Sequence, residues 1–164
     1  MSDELTIFGT GAHARKVYHY ARDSGWRVAA FVDEAVGAVS PIPGIQAMHT
    51  DELPRPRTGQ WMFVAVGQAE VRCRLMHRLG SEGWNFPIIK HRSSWIAPDA
   101  TVAAGVLVAA GAIVETKANV GQGAIIDIGA LVDHDCVVGA YCHVRPGQVM
   151  EPREAILMPR SSAG

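Results

Sequence analysis

Positive charge is not in excess in this chain: Lys and Arg number 15 against 16 Asp and Glu, a formal net charge of −1. Without a basic stripe the electrostatic footprint of a nucleic-acid binder is missing, so no nucleic acid is expected as a partner. Long apolar runs are missing too. The uncharged stretch from Ala100 to Val114 is broken by glycines and falls short of the roughly 18 apolar residues a spanning helix needs, which argues against a membrane partner. The opening MSDELTIFG is acidic where a secretory signal would be basic. Cysteine is scarce. Cys73, Cys136 and Cys142 are odd in number and have neither a C-x-x-C pair nor zinc-ligand spacing. They predict reduced packing thiols in a cytoplasmic protein, and no metal is expected.

What the chain has instead is a strict repeat. From Ile96 to Val149 it reads as nine hexads: IAPDAT, VAAGVL, VAAGAI, VETKAN, VGQGAI, IDIGAL, VDHDCV, VGAYCH and VRPGQV. Each opens on Ile or Val, and most carry a small residue fifth, such as Ala112, Ala118, Ala124, Ala130 or Cys136. An α-helix turns every 3.6 residues and a half-buried strand alternates every two, so neither presents one face with a period of six. A coil with short straight sides does. Hexads of this kind are the signature of a parallel β-helix, in which a repeat buries its apolar residue only by stacking on its neighbours.

The front of the chain is built differently. Leu5–Phe8 is a short apolar run ending in Gly9-Thr10-Gly11-Ala12-His13-Ala14, and Arg15–Ser24 has helical composition and stops at Gly25. A second strand, Val28–Val32, closes on Asp33. This is the layout of a G-x-G-x-x-G/A nucleotide fingerprint, whose acidic residue follows about twenty residues after the glycines. The glycines allow a tight turn and close phosphate approach, and the helix N-terminus supplies N–H donors for an anion. A Pro-rich linker follows, then a strand at Trp61–Val66 ending at Gly67, and a helix over Gln68–Leu79 with Val71, Leu75, Met76 and Leu79 on one face. The segment has room for one mononucleotide half of a doubly wound sheet, which weighs against a full NAD-binding dehydrogenase domain. The expected organisation is an α/β half-Rossmann-like domain over 1–90, a β-helix over 91–150 and an irregular tail over 151–164.

The hexads resemble those of the left-handed β-helix acyltransferases, whose triangular coils take three hexads each. On that resemblance residues eighteen apart stack, with Ile96 over Val114 and Val132, Val102 over Val120 and Val138, and Val108 over Ile126 and Val144. Over about nine-tenths of its length the whole chain resembles the sugar acetyltransferases that include sialic acid O-acetyltransferases and the UDP-amino-sugar N-acetyltransferases of bacillosamine biosynthesis. The resemblance is carried by Gly9–Ala14, where Ala14 replaces the family's usual glycine, and by Phe31-Val32-Asp33-Glu34. His91-Arg92-Ser93-Ser94-Trp95-Ile96 resembles the lead-in to the family's β-helix, and Gly129-Ala130-Leu131-Val132-Asp133-His134-Asp135-Cys136 resembles its catalytic signature.

The resemblance implies that His134 is a general base, that Asp135 raises its basicity, and that His143 contacts the thioester of acetyl-CoA. It places a nucleotide-linked sugar against Gly11, Ala12, His13, Asp33 and Gly67, and implies a homotrimer with sites between neighbours. Imidazole suits the base role because its unperturbed pKa lies near 6.5, close to working pH. Adjacent residues of a flat strand point to opposite faces. Asp135 can therefore assist His134 only if the backbone turns there, and Asp133 is the fallback partner. The expected activity is acetyl-CoA-dependent acetylation of an amino group on a nucleotide-linked sugar. O-acetylation of a sialic-acid-type sugar and a non-catalytic nucleotide-sugar-binding protein are the alternatives. The hexads fail after Val149, and relatives in the family usually continue, so the prism is expected to be shortened at its C-terminal end.

Overall fold

Among the described residues the strands pair in parallel in both units, with strands of four to seven residues in the sheet of one and strands of two residues throughout the other. In the computed structural model, which describes residues 4–57 and 59–158, the chain divides into two units between Arg92 and Ser93. The first contains β1 (Glu4–Phe8), α1 (Ala12–Asp23), β2 (Arg27–Asp33), β3 (Gln46–His49), β4 (Trp61–Val64), α2 (Ala69–Ser81) and β5 (Ile89–Lys90). Its sheet runs in the order β3-β2-β1-β4, all parallel. Leu5, Ile7, Phe31, Val32, Met62 and Phe63 are buried within it, as expected for strands covered on both faces by crossover helices. Helix α1 turns Ala14, Val17 and Ala21 inward, and α2 turns Leu75, Met76 and Leu79. Strand β3 was not legible in the sequence, because Gln46–His49 is short and only half-buried and gives no apolar alternation.

The second unit is the expected left-handed β-helix. Its strands are two residues long: β6 (Trp95–Ile96), β7 (Thr101–Val102), β8 (Leu107–Val108), β9 (Ile113–Val114), β10 (Asn119–Val120), β11 (Ile125–Ile126), β12 (Leu131–Val132), β13 (Val137–Val138), β14 (His143–Val144), β15 (Val149–Met150) and β16 (Ala155–Ile156). They stack into three faces, β6-β9-β12-β15, β7-β10-β13-β16 and β8-β11-β14. The register is the predicted one of eighteen residues. Ile96 pairs with Val114 and Val114 with Val132, Val102 with Val120 and Val120 with Val138, and Val108 with Ile126 and Ile126 with Val144. These aliphatics and the fifth-position Ala112, Ala118, Ala124, Ala130 and Cys136 form one continuous core. Burying each Val or Ile contributes roughly 1.5–3 kcal/mol.

The corners have their own rule. From Gly105 to Arg153 the fourth residue of every hexad has positive φ, between 56° and 71°. Four of these residues are not glycine: Lys117, Asp135, Tyr141 and Arg153. Each such residue costs on the order of 1 kcal/mol of backbone strain, so the corner geometry is imposed by stacking and not by local preference.

One expectation is corrected. The β-helix does not give way to an irregular tail at 151: β15 and β16 continue it, with Met150 buried beside Val132 and Ile156 paired with Val138. Met150 and Ile156 fall on the first hexad position, and the apolar first residue suffices even where the fifth is Glu154. The part of the expected tail at 159–164 lies outside the described residues.

Coil spacing is tightest at Gly121, where an added Cβ would lie 2.5 Å from the Ala140 nitrogen and 2.9 Å from its Cα. These are backbone atoms held by the ladder, including the Gly121 N–H donating to the Val138 carbonyl at 2.7 Å. Gly121→Ala is therefore expected to lower stability by about 1–3 kcal/mol, the usual cost of overpacking. Gly67→Ala, whose Cβ would meet nothing within 4 Å, serves as the control in chemical denaturation of both variants.

Candidate functional site

In the first unit the expected substrate-side residues sit at or just beyond the carboxyl ends of β1, β2 and β4. In this strand order the chain reverses its direction of winding between β1 and β4, the position where open α/β sheets bind ligands. Gly9 (φ 114°) makes the turn out of β1, and a Cβ there would lie 2.9 Å from the Ala65 carbonyl oxygen of the neighbouring strand end. Gly11 is the N-cap of α1, with no side-chain cap. Ala12 and His13 form the first turn of α1, Ala12 exposed and His13 half-buried. Open space faces both Gly11 and Gly67 where a Cβ would stand.

Asp33 is engaged by the protein itself. Its Oδ2 accepts the Thr10 hydroxyl at 2.7 Å and its Oδ1 the Ala35 N–H at 3.0 Å. The carboxylate thereby ties the glycine turn to the end of β2. The Gly67 loop is held from below by Arg72, a buried guanidinium whose Nη1 donates to the carbonyls of Val66 (2.7 Å) and Gly67 (2.9 Å). Next to Asp33, Glu34 forms a two-pronged ion pair with Arg74 and a further one with Arg78. The hydrogen bond from Arg74 lowers the Glu34 pKa against the opposing effect of partial burial.

In the β-helix, His134 and Asp135 occupy the corner between β12 and β13, and the requirement that the backbone turn there is met. Asp135 is one of the left-handed fourth residues (φ 60°), which brings its carboxylate to the imidazole: His134 Nδ1 lies 2.8 Å from Asp135 Oδ2. Asp133 is not the partner of the ring. Its Oδ1 accepts the backbone N–H of His134 at 2.6 Å. A carboxylate only accepts, so in the neutral ring Nδ1 carries the hydrogen and Nε2 keeps its lone pair.

His143 lies in β14, opposite Ile125. Its Nε2 is 3.0 Å from Oδ2 of Asp127, a buried carboxylate whose Oδ1 also accepts the Ile128 N–H at 2.8 Å. Asp127 and Arg72 were not identified as site residues from the sequence. Asp127 had a signal: cross-strand neighbours two residues off the direct partner share a face, and the eighteen-residue register puts Asp127 two beyond Ile125. Arg72 had none, since its position on the apolar stripe of α2 reads as a defect in the pattern.

The two histidines are not brought together within one chain. Nine residues are half of an eighteen-residue coil, and the corner holding His134 lies across the prism from the face containing β14. Among the described residues no group of three or more His, Cys, Asp and Glu could hold a metal ion, and no helix is long and apolar enough to cross a membrane.

The hydrogen bond from His134 is the main reason the Asp135 carboxyl is held below the ordinary aspartate value; the His134, Lys117 and Arg153 charges act in the same direction, and desolvation opposes them. A depressed folded-state pKa means that the contribution of this pair to stability is present above the ordinary carboxylate pKa and is lost as pH falls through the folded value. Carboxyl-detected NMR titration should show Asp135 titrating below a free aspartate and moving up in His134→Ala. An unchanged titration in that variant would mean the 2.8 Å contact is not made in solution.

Comparison with known proteins agrees with this architecture. Residues 4–79 match the family described as the PglD N-terminal domain. A His-to-Asn mutant of perosamine N-acetyltransferase from Caulobacter crescentus, solved with CoA and GDP-perosamine, is 30% identical, with a TM-score of 0.85 over 93% of this chain and 73% of that one. PerB from Caulobacter crescentus, also solved with CoA and GDP-perosamine, is 36% identical over 85% of this chain and 67% of its own, with a TM-score of 0.76. The acetyltransferase domain of PglB from Neisseria gonorrhoeae, at 20% identity and a TM-score of 0.80 over 95% of this chain and 86% of that one, shares the fold. A glycine turn at the end of β1, an eighteen-residue prism and a histidine–carboxylate corner thus occur here on a chain with this degree of identity to such enzymes, and the protein belongs to the hexapeptide-repeat, left-handed β-helix sugar N-acetyltransferases and is an acyltransferase.

Proposed function

We propose that the protein transfers the acetyl group of acetyl-CoA to an amino group on a nucleotide-linked sugar, with His134 as the general base. The observation that carries this reading is the 2.8 Å contact between His134 Nδ1 and Asp135 Oδ2, which leaves Nε2 as a lone-pair base on an exposed corner. Its relatives with CoA and GDP-perosamine bound support the choice of acyl donor and acceptor class.

In the proposed step, the amine nitrogen attacks the thioester carbonyl as His134 Nε2 takes its proton. The C–N bond forms, the tetrahedral intermediate collapses with cleavage of the C–S bond, and the imidazolium returns the proton to the departing thiolate. Asp135 stabilises the imidazolium and fixes the tautomer. Gly11, Ala12, His13, Asp33 and Gly67 are proposed to receive the nucleotide end. Gly11 and Gly67 offer open backbone to a phosphate, and the N–H groups of the first turn of α1 supply donors. His143 is proposed to contact the acyl donor.

Because His134 and His143 lie across the prism from one another, a site using both requires two copies of the chain. A closed ring of three, in which each copy lends one histidine to each neighbour, satisfies this with identical head-to-tail contacts. The protein is accordingly read as a homotrimer.

Thiol release from acetyl-CoA, measured with a panel of GDP-, UDP- and dTDP-amino sugars, should identify an acceptor. His134→Ala should lower kcat by roughly 10²–10⁴, the usual contribution of a positioned base. Turnover with hydroxyl sugars alone would favour the O-acetyltransferase reading, and nucleotide-sugar binding without turnover would leave a binding protein. Shared sites make a second prediction: chains carrying His134→Ala, which lack the base, and chains carrying His143→Ala, which bind acetyl-CoA weakly, should on co-assembly by random assortment restore about a quarter of the sites to both full turnover and tight acetyl-CoA binding. Well-mixed assemblies with no such restored sites would place both histidines' work within one chain or deny one of them a role.

A further inference from the structure

We infer that Asp127 is a positioning residue that decides which nitrogen of His143 carries the proton, making Nδ1 a hydrogen-bond acceptor for an amide N–H of the acyl donor. The inference rests on the reading of His143 as the contact to that donor. Three observations support it. The Asp127 side chain is 7% exposed and that of His143 36%, so the carboxylate is a buried support beneath an accessible ring. Both of its oxygens are engaged, Oδ1 by the Ile128 N–H at 2.8 Å and Oδ2 by His143 Nε2 at 3.0 Å. The Ile128 N–H belongs to the backbone of a stacked coil and cannot turn away.

Since a carboxylate only accepts, the ring nitrogen facing it must donate, and in the neutral imidazole the other nitrogen must accept. Nε2 therefore bears the hydrogen, and Nδ1 keeps its lone pair. This is the reverse of His134, where Asp135 takes the hydrogen on Nδ1 and frees Nε2. A neutral His143 so held has no N–H left for a thioester oxyanion, which must find its donors among backbone N–H groups. It can accept a hydrogen bond, and the N–H donors of acetyl-CoA near its thioester are the amides of the pantetheine arm.

Asparagine is isosteric with aspartate at this position but has only one oxygen. That oxygen remains on the Ile128 N–H, the amide NH₂ faces His143, and Nε2 must then accept. Asp127→Asn should thus invert the tautomer of His143 without enlarging or emptying the site. Long-range ¹⁵N correlation spectra of the full chain above the imidazole pKa read this directly, with the His143 signals identified by their loss in His143→Ala.

The wild type should show a protonated Nε2 and an unprotonated Nδ1, and Asp127→Asn the opposite pattern. Acetyl-CoA affinity, measured by calorimetry without any sugar, should fall about tenfold in Asp127→Asn, as when one hydrogen bond is replaced by two facing donors. The same loss is expected in His143→Ala. A wild-type ring that carries hydrogen on Nδ1, or on both nitrogens, overturns the inference even if Asp127→Asn fails to fold. So does an inverted tautomer with unchanged acetyl-CoA affinity. A wild type with the expected tautomer that binds no acetyl-CoA removes instead the acyl-donor reading on which the inference rests.

Discussion

The stacking of one coil on the next at an interval of eighteen residues is the constraint on which the β-helix depends. Two-residue strands cannot persist alone, since a short pairing of that length buries almost nothing and leaves most of its backbone to water. Here each strand within a face is hydrogen-bonded to neighbours above and below, only the end strands having one, and the Val and Ile at the first hexad position form columns through the interior. The corners follow from this. Once the ladders fix the straight segments, the fourth residue from Gly105 to Arg153 turns in the left-handed region whatever its side chain. Glycine meets that demand at little cost at several corners, while Lys117, Asp135, Tyr141 and Arg153 meet it because the stacked coils leave no alternative.

Asp135 shows how this constraint produces chemistry. On a flat strand a carboxylate next in sequence to a histidine would point to the opposite face. At a left-handed corner the two side chains converge, and the histidine acquires a partner from the adjacent residue with no long-range contact needed. The strain of a non-glycine residue in that region is retained at the corner where it brings a carboxylate to the His134 ring, in keeping with the tendency of strained backbone to collect at functional sites. The first unit uses its turns in a related way. Thr10 and Asp33 join the ends of β1 and β2, and Arg72 supports the Gly67 loop from within, so the exposed glycines are presented by a braced framework.

How much of this was legible in the sequence differs between the two units. The hexad period gave the architecture of the β-helix and its register, because period and register are the same quantity when each coil takes eighteen residues. The period fades after Val149 because Glu154 takes the place of a small fifth residue, whereas Met150 and Ile156 keep the apolar first residue, which governs the stacking. In the first unit the glycine turn and the main strands were readable, but β3 was not, its four residues being exposed or half-buried and patternless. Of the site, His134 and Asp135 could be named and their contact could not, since it depends on a φ value. Arg72 was hidden for a different reason: burial of a guanidinium is tolerable only where carbonyls are aimed at it, and carbonyl directions are invisible in a list of side chains.

The half-coil separation of His134 and His143 carries the argument beyond the single chain. A prism with three faces and eighteen residues per coil must put residues nine apart on opposite sides, however the side chains are arranged. If both histidines act on one acetyl group, association of copies is a requirement of the chemistry and not an addition to it. Their carboxylates then have complementary tasks, each holding hydrogen on a different ring nitrogen: Nδ1 at His134, Nε2 at His143. On the proposed reading one copy would contribute a base able to take a proton from an amine, and its neighbour an acceptor able to hold the donor arm in place. The same six-residue repeat that builds the scaffold separates the two histidines, and a site that used both would depend on assembly.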